Sequence, residues 1–225
     1  MTRCVGLLGG VGVGAFVHYY EALAAAHAAK GVPLPLVMAN ANITVGQRLI
    51  EAGDLPGLAR YLADLIGRMR DAGAEFAAIP AVTPHICYAE LQPISPLPLV
   101  DIVATLAAHL RAQGINRAAL LGTRYTIESA MFGRLDGVEL VRPRDDEIVT
   151  IHDAYMRTAN TGKGAADDHR VLTAMARTLI DRDGAQTIIF AGTDLSLLFD
   201  DTNTDFPVVD CAQLHIEAIL RAQGL

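Results

Sequence analysis

The stretch VGLLGG at residues 5–10 decides the fold, because a short apolar run that ends in glycines predicts a buried strand followed by a tight loop. The alanine-rich segment 16–29 follows without a helix breaker and predicts a helix. The same order returns along the chain, with further strands predicted at residues 36–41, 76–79, 118–121 and 187–190. Strands that alternate with helices predict an α/β protein with a parallel sheet and helices on its faces.

The remaining helices are predicted where a capping side chain or a run without breakers begins. They are 58–72 behind Asp54, a helix from Asp101 to about 113, one from about 127, 169–183, and one from Cys211 behind Asp210 to the C-terminus. Glycines at 73, 114 and 184 are placed to end three of them.

The second half of the chain repeats the pattern of the first. LLGG at 7–10 resembles LLGT at 120–123, and DAGAE at 71–75 resembles RDGAQ at 182–186, each beside a strand. One explanation is a duplication, and the other is that every α/β protein repeats strand, glycine and helix. A duplication predicts two similar parallel-sheet α/β halves, related by a pseudo-two-fold axis with an active-site cleft between them. The expected parts are residues 1–100, residues 101–210, and a C-terminal helix 211–225 that packs back on the first half.

Composition and charge exclude several classes of function. The chain has 225 residues, 52% of them hydrophobic, which is enough for one large or two small domains with a core. A net charge of −7 argues against non-specific binding to nucleic acid, which needs lysine and arginine to neutralise phosphates. No apolar run approaches the ~20 residues that span a bilayer, and the N-terminus lacks the features of a signal peptide. We therefore expect no membrane association and a cytoplasmic location.

The cysteines and the other metal-ligating residues show no recognisable spacing. Cys4, Cys87 and Cys211 are an odd number without paired spacing, so we expect neither a disulfide framework nor a zinc site. No arrangement of His, Asp and Glu resembles a ligand set. The sequence therefore predicts no metal site.

The glycine loop after the first strand permits a different interpretation. Residues 10–15, GVGVGA, satisfy the loose dinucleotide pattern G-x-G-x-x-G/A between a strand and a helix. The acid that would hold a ribose is missing, since 39–43 read ANANI, and the G-K-[ST] ending of a P-loop is absent. A nucleotide-dependent oxidoreductase is therefore a minor alternative, which titration with a dinucleotide would test.

Four strand ends are the candidate ligand-binding loops, because ligands of parallel α/β sheets bind beyond the carboxyl ends of the strands. Each precedes a predicted helix, whose unpaired N–H groups suit a carboxylate or a phosphate. The loops are 9–14, which includes Gly10, and 81–85, 122–126 and 191–194. Hydroxyl donors come from Thr83, Thr123, Thr126 and Thr193. These threonines predict a site for a small anion; alternatively they only cap helices, a role compatible with binding.

Several motifs resemble the aspartate/glutamate racemase family over nearly the whole chain. LGTRYT at 121–126 matches the family pattern Leu-Gly-Thr-x-x-Thr. GLLGG at 6–10 with two tyrosines at 19–20 resembles the family's opening, and PVVD at 207–210 followed by His215 resembles its ending. The resemblance implies a cofactor-independent enzyme of an amino acid or small carboxylate that forms a homodimer.

The two catalytic motifs of the family are altered in this chain. The family has Cys-Asn-Thr-x-His after the third strand and Gly-Cys-Thr-Glu late in the chain, where this sequence reads AVTPH at 81–85 and AGTD at 191–194. The family's two thiols act on opposite faces of the substrate's α-carbon, one removing a proton and the other delivering one. Ala81 and Gly192 stand at these positions and can do neither. A methyl and a hydrogen in place of two thiols predict a pocket that is wider across the α-carbon.

The groups that would hold the substrate are better kept than the thiols. The resemblance implies that Arg48 binds a distal carboxylate, for which a guanidinium is suited, and that Lys163 lines the site from a mobile loop. Thr83 and Thr193 would hold the substrate carboxylate. The alternative for both cations is a solvated surface charge.

The remaining candidates for proton transfer are His85, Tyr125, Asp194 and Lys163, and we expect one of the first three to transfer the proton. We expect an enzyme that acts on a small carboxylate or amino acid by proton transfer next to a carboxylate, isomerase- or lyase-like, without two-cysteine racemisation. The alternative is a degenerate homologue that binds a carboxylate metabolite without turnover. Candidates that line the site with perturbed pKa values favour the enzyme, whereas burial in caps and core favours the binding protein.

Overall fold

The computed structural model describes residues 2–225 and separates the chain into two compact units. The first unit runs to Asp101 and resumes at His215–Leu225, and the second is Ile102–Leu214. Each unit contains one four-stranded sheet, and every strand pairing in both sheets is parallel. The predicted fold class, two similar parallel α/β halves, is therefore confirmed.

The first unit is built around a central strand with the order β2-β1-β3-β4. Its strands are β1 (Val5–Gly9), β2 (Leu36–Asn40), β3 (Phe76–Ala78) and β4 (Leu99–Val100). Its helices are α1 (Val13–Ala29), α2 (Ile43–Glu51), α3 (Leu55–Asp71) and α4 (Tyr88–Leu91), with 3₁₀ helices at Thr83–Cys87 and Gln92–Ile94. All five residues of β1 are buried, which accounts for the uninterrupted apolar and glycine run from which the fold was predicted.

The second unit repeats this plan with the order β6-β5-β7-β8. Its strands are β5 (Arg117–Gly122), β6 (Glu139–Val141), β7 (Thr187–Ala191) and β8 (Val208–Asp210). Its helices are α5 (Ile102–Ala112), α6 (Arg124–Glu128), α7 (Asp145–Thr161) and α8 (Ala166–Asp181), with 3₁₀ helices at Met131–Gly133 and Thr193–Leu197. The last helix, α9 (Cys211–Gln223), contains the boundary between the units.

Two helix caps lie where the sequence predicts them. The Asp54 carboxylate accepts a hydrogen bond of 2.8 Å from the backbone N–H of Gly57 at the start of α3. The Asp210 carboxylate accepts one of 2.7 Å from Ala212 at the start of α9. Both caps satisfy backbone donors that have no partner inside their own helix.

Two helices and three strands escaped prediction. Helix α2 has no fully buried residue, although its partly buried Leu49 and Ile50 pack against the hydrophobic core. Helix α7 begins behind a charged segment and was not anticipated at all. Strands β4, β6 and β8 have only two or three residues, too few to show a period. Within residues 2–225 no helix is both long and apolar enough to cross a bilayer.

Candidate active site

The end of β1 is shaped by a close approach between two chain segments. Gly10 has φ of +79°, and a Cβ placed on it would lie 2.8 Å from the backbone nitrogen of Ala41 and closer still to the carbonyl oxygen. Glycine is therefore required here both by the left-handed backbone and by the adjoining end of β2. Its role toward a ligand stays a prediction.

The end of β3 brings Ala81, Thr83 and His85 onto one turn. Ala81 and His85 are buried, and Thr83 is half-buried. His85 Nδ1 donates a hydrogen bond of 2.9 Å to the carbonyl oxygen of Ala81. A carbonyl can only accept, so Nδ1 carries a hydrogen and this contact fixes the ring orientation.

His85 belongs to a buried ring cluster that the sequence did not predict. The ring of His215, from α9, lies 6.4 Å from that of His85 at an interplanar angle of 85°. His215 Nε2 donates 2.9 Å to the carbonyl oxygen of Val100, so Nδ1 accepts from the hydroxyl of Tyr19 at 3.1 Å. Burial is the main cause that lowers the pKa of His215 to about 3. His215 is therefore neutral and positions its neighbours through hydrogen bonds.

The end of β5 is occupied by a threonine pair. Thr123 Oγ1 accepts a hydrogen bond of 3.2 Å from the N–H of Thr126, and the two hydroxyls are 2.9 Å apart. Both residues are buried, and this pair caps α6. Tyr125, between these two threonines in the sequence, is instead exposed over 39% of its surface.

The end of β7 carries Gly192, Thr193 and Asp194, all buried. The hydroxyl of Tyr155, from α7, donates a hydrogen bond of 3.0 Å to Asp194 Oδ2. Burial and the neighbouring Asp194 raise the pKa of Tyr155 well above 10, so its hydroxyl stays protonated at neutral pH. Sequence reasoning missed Tyr155, because α7 was not predicted and one tyrosine carries no motif.

The ring of Tyr155 also fills the space beside Gly192. A Cβ on residue 192 would lie 2.7 Å from Cζ and 3.0 Å from the hydroxyl oxygen of Tyr155. The expectation that loss of a side chain at Gly192 leaves open volume is therefore wrong at this position. The ring of Tyr155, on helix α7, occupies the space beside Gly192 instead.

Three of the four strand ends do not lead into long helices, contrary to expectation. The loops after β3 and β7 enter 3₁₀ helices of five residues, and α6 also has five residues. So few aligned peptide dipoles add little positive potential. Hydroxyls and individual backbone N–H groups, rather than a macrodipole, are what these three loops offer an anion.

The two candidate cations lie at the surface. Arg48 is exposed on α2, and Lys163 is exposed between α7 and α8. Neither side chain forms an ion pair within residues 2–225, so both charges are unneutralised there. A Cβ on Gly164 would lie against the backbone of Leu197, so the segment 162–164 packs on the 3₁₀ helix that carries Asp194.

The cysteines are packed as small hydrophobic side chains. Cys87 and Cys211 are fully buried, and burial raises the pKa of Cys87 to about 12 and that of Cys211 well above its ordinary value. Cys4 is half-buried, and its pKa is raised for the same reason. None of the three is therefore a thiolate at neutral pH. Across the described residues, no three His, Cys, Asp or Glu side chains are grouped to hold a metal ion.

Comparison with known proteins identifies relatives over most of the chain. Residues 8–219 match the family described as Asp/Glu/hydantoin racemase. The broad specificity amino-acid racemase RacX of Bacillus subtilis (strain 168) is 28% identical over 149 residues. This match covers 64% of the present chain and 62% of that protein, which is less than two thirds of its length.

Solved structures share the fold. The crystal structure of PH1733, an aspartate racemase homologue from Pyrococcus horikoshii OT3, has a TM-score of 0.82 at 22% identity and covers 100% of both chains. A mutant of arylmalonate decarboxylase in the liganded form has a TM-score of 0.56 at 13% identity, covering 99% of this chain and 93% of that one. Identities this low establish the fold alone, and a fold does not determine the reaction.

Proposed function

The chain belongs to the Asp/Glu/hydantoin racemase family, and on that premise we propose that it is an enzyme acting on a small carboxylate or amino acid. The reaction is proton transfer at the carbon next to a carboxylate, and it is isomerase- or lyase-like. It uses no pair of thiols, because Ala81 and Gly192 stand in the two motifs where the family has cysteine. The relative from Bacillus subtilis, a broad specificity amino-acid racemase, supports this class of substrate.

The hydrogen bond between Tyr155 and Asp194 is the observation that carries the proposal. Asp194 supplies a carboxylate, which can accept a proton, two residues after Gly192, the residue at the position of the second thiol. A buried carboxylate is surrounded by less water than one at the surface, so its interactions with neighbouring dipoles are stronger. In the proposal Asp194 accepts the proton, and Thr193 holds the substrate carboxylate.

The first unit has its own candidates, His85 and Thr83. His85 Nδ1 donates to a carbonyl, so Nε2 is the ring nitrogen that would accept a proton, and His85 is the second candidate acceptor. Thr83 is the hydroxyl donor for a substrate carboxylate. Arg48 and Lys163 are the candidates for a distal acidic group, since both are exposed and unneutralised within the described residues.

Hydrogen exchange in D₂O tests the proposal. The protein is incubated with both enantiomers of aspartate and glutamate, with maleate and with malate, and loss of the carbon-bound proton signal is followed by proton NMR. Asp194→Asn, His85→Gln and Tyr125→Phe are compared one at a time, and removal of the true acceptor should slow exchange by about 100-fold or more. Asp136→Asn, at an exposed turn position, is the matched control. If the wild-type protein exchanges no compound, the proposed function is wrong for this class of substrate.

A binding protein without turnover is the second candidate, and the burial of two proton-transfer candidates favours it. His85 and Asp194 are each only 3% exposed and are hydrogen-bonded inside their own units. That is the arrangement expected of residues that serve caps and core. Ligand signals that shift or broaden in the same NMR samples, while no proton exchanges, would establish this function.

The assembly and the cofactor requirement belong to the same proposal. We propose a homodimer, which light scattering on the purified protein would reveal as twice the mass of 23.9 kDa. We also propose that the reaction needs no metal or organic cofactor. Exchange should then survive dialysis against a chelator, and a rate restored only by added metal would contradict this.

A further inference from the structure

We propose that Tyr155 determines which group of the second unit takes part in proton transfer. Its ring excludes any side chain at residue 192, and its hydroxyl positions the carboxylate of Asp194. This inference rests on the proposed function and names a residue for it. Tyr155 is a positioning residue, because it acts through Asp194. The steric effect depends on the ring of Tyr155 and the positioning effect on its hydroxyl, so substitutions can separate the two.

The backbone of Gly192 does not by itself require glycine. Its φ of −152° and ψ of 121° are ordinary extended values that any residue adopts. Glycine is therefore not required by the conformation of the chain. The space is what requires it, because a Cβ would lie 2.7 Å from Cζ of Tyr155, closer than real side-chain atoms approach.

Moving the Tyr155 ring out of this space would destabilise the fold. Tyr155 is 6% exposed, and its hydroxyl is held by Asp194 on the 3₁₀ helix that follows Gly192. A ring displaced by a new side chain would lose this hydrogen bond and would have to push into a close-packed interior. A thiol at residue 192 and a ring at Tyr155 therefore exclude each other.

The surroundings of Tyr155 and Asp194 decide which of the two groups can carry a negative charge. The groups that face the Tyr155 hydroxyl are Asp194 and Cys211, and Asp210 lies beside Cys211. The phenol and the thiol stay protonated in this environment, so Asp194 is the one of the three groups that can carry a negative charge. The hydroxyl then acts as a fixed donor to that carboxylate, which orients it and offsets part of its desolvation.

Two unfolding cycles test the inference without any need for turnover. Gly192→Cys should lower Tm by roughly 5 °C, the effect of overpacking in a chain of this size. The same change made in a Tyr155→Ala background should cause little further loss. Tyr155→Phe and Asp194→Asn should be non-additive when combined, because each removes the same hydrogen bond. A Gly192→Cys variant as stable as the wild type, or fully additive effects in the second pair, would overturn the inference.

Exchange in D₂O then separates positioning from packing. Tyr155→Phe keeps the ring and removes only the hydroxyl, so exchange should fall about tenfold or more while Tm changes by only a few degrees. Tyr20→Phe, at an exposed tyrosine of α1, is the matched control and should leave both unchanged. Unchanged exchange in Tyr155→Phe would refute the positioning role. Absence of exchange in the wild type would instead refute the proposed function, and the unfolding cycles would still decide the inference.

Discussion

The hydroxyl of Tyr155 donates a hydrogen bond of 3.0 Å to Asp194 Oδ2 across 39 positions of the chain. The residue two positions before Asp194 is Gly192, whose missing side chain is replaced in space by the Tyr155 ring. One aromatic residue thus fills a volume and satisfies a carboxylate at the same strand end. This arrangement makes the stability of the second unit sensitive to single atoms at this position.

Gly192→Ala should destabilise the protein by about 1–3 kcal/mol, because one methyl group overpacks the contact with Tyr155. The free energy of unfolding in urea measures the loss. Gly46→Ala is the matched control, since no heavy atom lies within 4 Å of a Cβ there and the residue is inside α2. That change should stabilise by about 0.4–1 kcal/mol, so equal effects at both glycines would contradict the steric explanation.

Gly10→Ala should cost more than Gly137→Ala, although both glycines have φ of +79°. The strain of a left-handed backbone, about 1–2 kcal/mol, is common to both substitutions. Only Gly10 adds a collision, with the backbone of Ala41, whereas nothing lies within 4 Å at Gly137. The difference between the two variants in the free energy of unfolding in urea measures the effect of the collision. Similar losses of stability in both variants would show that the end of β2 can move aside.

Stability should fall with decreasing pH between about 6.5 and 3 because of His215. Its pKa is about 3 in the fold, below the ordinary 6.5, so in this window the unfolded chain binds a proton that the folded chain does not. Stability therefore rises with pH by up to about 1.4 kcal/mol per unit from this group, and the contribution is complete above 6.5. The groups that face His215 are His85, Tyr19 and Asp101.

Urea unfolding at pH 4, 5, 6 and 7 measures this dependence. His215→Gln should be less stable at pH 7, because its contacts are lost, but should depend less on pH. His109→Gln, at a half-buried position on α5, should keep the wild-type slope. A slope that survives unchanged in His215→Gln would assign the dependence to other groups.

Thr123→Ala should destabilise by about 0.5–2 kcal/mol, since the N–H of Thr126 loses its cap. Thr123→Ser keeps the oxygen and should recover most of the loss. Thermal unfolding of the two variants checks the prediction. If serine fails to recover the stability, the methyl group of Thr123 rather than its cap is what matters.

Several local features of this chain could be predicted because their causes lie within a few residues. An apolar run must be buried and the glycines after it allow a tight turn, so β1 and the close approach at Gly10 follow from residues 5–10. Asp54 and Asp210 cap helices that begin immediately beside them. The order of strands and helices then predicted two parallel α/β halves, and the motifs in that order predicted the family.

Contacts between distant residues were decided only by the tertiary structure. Tyr19 and His215 are 196 positions apart, and Tyr155 and Asp194 are 39 apart, yet each pair is joined by a hydrogen bond. No periodicity relates such partners, because they meet only when elements that are distant in the chain pack against each other. The sequence alone therefore determined the architecture and the absence of cysteine at residues 81 and 192. Packing decided that a tyrosine occupies the space beside Gly192, since the shape of a filled interior depends on every segment that encloses it.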